Sequence, residues 1–70
     1  MVAAADTWLV WCATAGVHPL SGDVGDLERA ARQLRGSGAT ERDVLDLVDQ
    51  VGFMTGMWRT AAWVQLRRTI

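Results

Sequence analysis

Apolar positions recur along this chain at helical spacing, and no segment alternates with the period of two that marks a strand. Trp8, Trp11, Cys12 and Ala15 fall at i, i+3, i+4 and i+7 on one face of a first helix predicted over residues 3–15. Leu9, Val10 and Ala13 make its opposite side apolar too, and a helix that is apolar all round is either the centre of a core or half of an interface. Gly16 suits a C-cap, and Pro19 forbids helix at His18. Residues 16–22 therefore read as a turn packed down by Val17 and Leu20.

Ser21 or Asp23 can cap a second helix running to about Arg35, with Val24, Leu27, Ala31 and Leu34 as its inward stripe. Its outer face carries Glu28, Arg29, Arg32 and Arg35. Glu28 precedes Arg32 by four residues, the favourable ion-pair order, and Arg35 lies where the helix dipole welcomes a cation. After the breaker run at residues 36–38, Thr40 and Asp43 form a variant capping box. It opens a third helix with the stripe Val44, Leu47, Val48 and Val51. Gly52 reads as the end of that helix and Thr55 as the start of a fourth, running from Gly56 towards Ile70, although a mere kink across residues 52–56 is an open alternative. The fourth helix would combine Met57, Trp58, Ala61, Ala62 and Leu66 on its apolar face. Trp63 would lie about 140° round from Trp58, so that one of the two indoles faces a partner.

The predicted architecture is all-α, a compact bundle of four short helices forming one domain over residues 1–70. A 7.7 kDa globule exposes roughly 4,300 Å² and has little interior. Four tryptophans and a hydrophobic content of 50% therefore exceed what one chain can hide. Domains below about 80 residues usually rely on a staple. One cysteine, Cys12, rules out an internal disulfide, and one histidine, His18, leaves no structural zinc site, so the expected staple is a partner or a homo-oligomer.

Charge narrows the classes further. The net charge is −1 and every basic residue is arginine, a bias that fits a GC-rich coding sequence of actinobacterial or phage type. So acidic a balance lacks the field of a nucleic-acid binder. The longest uncharged run, residues 7–22, is interrupted by Gly16, His18, Pro19 and Ser21 and is too short to span a bilayer. Asp6 stands where a secretory leader would carry basic residues, so no membrane and a cytoplasmic location are expected.

Candidate chemistry is sparse: there is no lysine and no tyrosine, His18 sits in a turn, and Cys12 lies on an apolar stripe. No catalytic residue, metal site, cofactor or small-molecule substrate is expected. Asp23, Asp26 and Glu28 lack calcium-loop spacing and read as acids complementing a helix N-terminus. Two charged stripes remain. Arg29, Arg32, Arg35 and Arg42 are candidate phosphate contacts, or a solvated face neutralised by Glu28 and Glu41. Asp43, Asp46 and Asp49 are a solvated face, or a complement to the arginines of another copy.

Taken together, Trp8, the Trp11-Cys12 pair, Gly16-Val17, Pro19-Leu20, Val24, Leu27, Ala31, Leu34, Gly38 and the helix opened by Thr40 resemble the core-binding, SAM-like helical domain of tyrosine recombinases. The likeness covers roughly residues 7–58 and rests on periodicity and turn chemistry. It implies a SAM-like bundle of the kind that clamps DNA. The arginine, histidine and tyrosine set of that family's separate catalytic domain has no match here. A second likeness, to a helix-turn-helix with its turn at Gly52, would give Trp58, Arg59 and Trp63 a poor base-reading surface.

The leading expectation is a small non-enzymatic helical module that self-associates or binds a larger protein. Met57, Trp58, Trp63 and Leu66 are its anchors, and Trp8 and Trp11 belong to the core. The alternative is a DNA-binding accessory protein of phage or mobile-element type that sets Arg29, Arg32, Arg35 and Arg42 on phosphates.

Overall fold

The computed structural model describes residues 4–70, and Ala3, assigned above to the first helix, lies outside them. Four α-helices and one short 3-10 turn occur among the described residues: α1 (Ala4–Ala15), α2 (Val24–Gly36), α3 (Glu41–Thr55), the turn Met57–Arg59, and α4 (Ala61–Arg68). No strand occurs among the described residues, in line with the all-α expectation.

Local chemistry sets most of the boundaries. Asp23 accepts the Asp26 amide at 2.9 Å while the Asp26 carboxylate accepts the Asp23 amide at 3.1 Å, a reciprocal box that starts α2. Thr40 and Asp43 repeat it for α3, at 3.2 and 3.1 Å. Thr60 alone caps α4, accepting the Trp63 amide at 3.1 Å. The exits of α1 and α2 are closed by backbone. With Gly16 and Gly38 left-handed, Val17 N–H reaches back to the Cys12 carbonyl and Ala39 N–H to that of Leu34.

α3 is the pillar. Val44, Leu47, Val48 and Val51, its anticipated stripe, are fully buried, and α1, α2 and α4 all pack on it. Trp8, Cys12, Leu27, Ala30, Ala31 and Met57 complete the core. Trp8 is wholly enclosed: its ring lies on Gly22, its indole N–H donates to the Pro19 carbonyl at 3.0 Å, and Trp11 stacks on it at 5.6 Å. Residues 16–22 are thus fastened to α1 by that hydrogen bond as well as by Val17, and Leu20, expected to pack down, is exposed.

The junction of α3 and α4 differs from expectation. Gly52 does not end α3; the helix continues to Thr55 and stops at Gly56, which is left-handed at φ 82°. Gly52 is needed for close approach instead. A Cβ there would stand 2.3 Å from Trp63 Nε1, so only glycine admits the indole, whose N–H donates to the Val48 carbonyl at 3.0 Å. The fourth segment is not one helix from Gly56 either, because Thr60 is extended and separates the 3-10 turn from α4. α4 runs back along α3: Trp63 lies level with Val48 and Gly52, Arg67 reaches Asp49, and Ile70 shares a crevice with Leu45 and Arg42.

Candidate functional site

Of the four anticipated protein-binding anchors, Met57 is only 6% exposed and belongs to the core. The break at Thr60 turns it inward, out of the face that a continuous helix would have given it. Trp63 is half-buried against Gly52 and Val48, and Leu66 is half-buried beside the core near Ala31. Trp58 alone keeps an open ring, 49% exposed, with the Arg59 guanidinium carbon 5.3 Å from the ring centroid.

A side chain outside the anticipated anchors dominates the same region. Phe53 is 82% exposed, Met54 is 40% exposed, and Val64 stands out from α4. Asp49 and Arg67 join the two helices at 2.7 Å. Phe53 lies one turn beyond Asp49 along α3 and Val64 one turn before Arg67 along α4. In an antiparallel pair those two steps point the same way, so both side chains rise on the outer face towards the turn that holds Trp58. The Asp49 carboxylate also holds the Arg67 guanidinium proton more tightly than usual, first by hydrogen bond and then by charge.

A second apolar surface lies on α1, where Val10 is 66% exposed and Leu9 and Ala13 are open. α1 is thus not the centre of the core; one side packs on α3 and the other faces outward. A fissure of about 370 Å³ separates it from α2, lined by Val10, Trp11, Ala30 and Leu34 among others. The only charged side chain of α1, Asp6, sits in its first turn.

The arginines are less available than the sequence implies. Arg29 binds Asp26 at 2.9 Å and Arg32 binds Glu28 at 2.6 Å, so half of the candidate phosphate set is internally neutralised. Arg35 and Arg42 form no salt bridge among the described residues, and they stand on different helices. The aspartate stripe is likewise divided: Asp43 caps α3, Asp49 holds Arg67, and Asp46 is exposed.

Cys12 is enclosed, and burial followed by the Asp26 carboxylate pushes its thiol above the ordinary range. His18 accepts the Leu20 amide at 3.2 Å and so braces its own turn. Among the described residues, no group of three histidine, cysteine or acidic side chains is placed to hold a metal ion, and no helix is long and apolar enough to cross a membrane.

No family model, no curated protein and no solved structure matches this chain.

Proposed function

We propose that this chain is a small, non-enzymatic helical module that binds protein through the hairpin of α3 and α4, with Phe53 and Trp58 as anchors. The observation that supports it most is the exposure of Phe53, at 82%, within a few residues of Met54 and the open Trp58 ring. Aromatic side chains carry much of the affinity at protein interfaces, and here Phe53 stands on α3 and Trp58 on the 3-10 turn, so that their backbone is already ordered before a partner arrives. The fold does not need them: the core closes without Phe53, while the other three indoles are each engaged within the subunit.

The test compares the wild type with the Phe53→Ser, Trp58→Ala double variant in sedimentation runs over a range of concentrations and in native co-purification. The wild type is expected to form a stoichiometric homo-oligomer or a complex with one defined protein. The double variant is expected to melt at the same temperature and to lose that association by about 2 kcal/mol or more. A wild type that stays monomeric and retains no stoichiometric protein, or a double variant that associates equally well, refutes the reading.

A further inference from the structure

Charge is unevenly divided along this chain. All eight carboxylates lie at or before Asp49, and from Gln50 onward the only charged side chains are Arg59, Arg67 and Arg68. Asp49 is engaged by Arg67, so the nearest free carboxylate on the Phe53 side of α3 is Asp46, two turns further back along the helix. Arg59 lies over Trp58, and Arg68 has no ion pair among the described residues. Phe53, Trp58 and Val64 therefore belong to a stretch whose only uncompensated charges are two guanidiniums.

Resting on the protein-binding reading above, we infer that the partner of this face is an acidic segment of another protein, with apolar side chains that meet Phe53 and Trp58. Opposite charge at the rim of an apolar contact selects the partner and sets its register. Guanidinium is suited to the task, being weakly hydrated and able to grip a carboxylate with two parallel hydrogen bonds while resting on an aromatic ring. A bilayer is a poorer match, because the two free arginines of this face, on a chain of net charge −1, fall short of the basic clusters that anionic lipid recruits. A second copy is also poorer: the carboxylates of Asp26, Glu28 and Asp49 are held by its own arginines, those of Asp23 and Asp43 close helix caps, and the three left exposed, Asp6, Glu41 and Asp46, are spread over two helices and form no acidic cluster.

The test is selection of helix-forming peptides on the intact chain from a displayed library whose composition spans acidic to basic. Titration calorimetry of the enriched sequences then follows at two salt concentrations. Acidic peptides with apolar residues at i and i+3 or i+4 are expected. Their affinity should fall about tenfold or more for Arg59→Glu with Arg68→Glu, and as much for Phe53→Ser. Enrichment of neutral or basic peptides that still depend on Phe53 overturns the acidic assignment and leaves the docking face standing. Failure to enrich any peptide, or self-association or binding to phosphatidylglycerol vesicles or a single-stranded oligonucleotide in place of peptides, overturns the inference. Phe53→Ser and the two arginine reversals change exposed positions, and matching melting curves confirm that each variant is folded.

Discussion

Gly52 and Trp63 act as a unit, since the indole occupies the space where any other residue would put its Cβ. In an open helix interior, alanine is better than glycine by about 1 kcal/mol. At position 52 the sign reverses: the ring must retreat and loosen its hydrogen bond to the Val48 carbonyl, so Gly52→Ala is expected to destabilise the fold by about 1–3 kcal/mol in urea titration. Gly36 is the matched control, being helical with open space where a methyl group would stand, and Gly36→Ala should be neutral or stabilising by up to about 1 kcal/mol. Cys12 gives a pH signature. Its raised folded-state pKa means that the native chain holds the thiol proton more tightly than the unfolded chain. The resulting stability is fully present below the unfolded thiol value, about 8.5, and declines as pH rises from there towards the folded value. Urea midpoints should drop on that alkaline limb in the wild type. They should stay flatter in Cys12→Ala, which begins about 1 kcal/mol lower at neutral pH through lost packing.

At the level of elements, α4 depends most on a single side chain. Thr60 accepts the Trp63 amide and donates to the Met57 carbonyl at 2.8 Å, so one hydroxyl ties the 3-10 turn to the start of an eight-residue helix. Thr60→Ala is expected to cost about 1 kcal/mol, with the amides of α4 exchanging faster while those at the centre of α3 keep their protection. Uniform loss of protection would refute this local role. The helices that could be read from the sequence are those whose ends are written locally: the Thr40 and Asp43 box, the Asp23 cap, the glycines that leave α1 and α2, and the stripe of α3. The α3 to α4 junction could not be read in the same way. A glycine in a helical pattern has the same local signature whether it ends the helix or admits a neighbour, and at Gly52 the neighbour is an indole eleven positions further on.

For the whole molecule, shape explains the distribution of apolar surface. The Cα extents are 28 × 26 × 16 Å, a slab with broad faces and a thin interior, and it exposes 4605 Å² against the roughly 4,300 Å² expected from its mass. The excess of oily side chains anticipated from composition is present, but on Phe53, Val10, Leu20 and Trp58 more than on the tryptophans generally. The sequence names Trp58 as an anchor together with Met57, Trp63 and Leu66 and does not decide which of the two indoles faces outward, whereas Phe53 receives no place on a face because a helix ending at Gly52 leaves it with none. Extended by one turn, the helix sets Phe53 opposite the buried stripe of Val44, Leu47, Val48 and Val51. Phe53→Ser should accordingly leave the melting temperature of the isolated chain within the spread of an ordinary surface change, about 0.5 kcal/mol, and raise its solubility. A larger loss would mean that the ring supports the fold.

The open Trp58 ring beneath a guanidinium has an optical consequence. Iodide, an anion drawn towards Arg59, should quench the emission of this one indole ahead of Trp8, Trp11 and Trp63, whose rings are at least partly enclosed. The wild-type chain thus carries its own dye at the face proposed for docking, and shielding from iodide reports occupancy without any label.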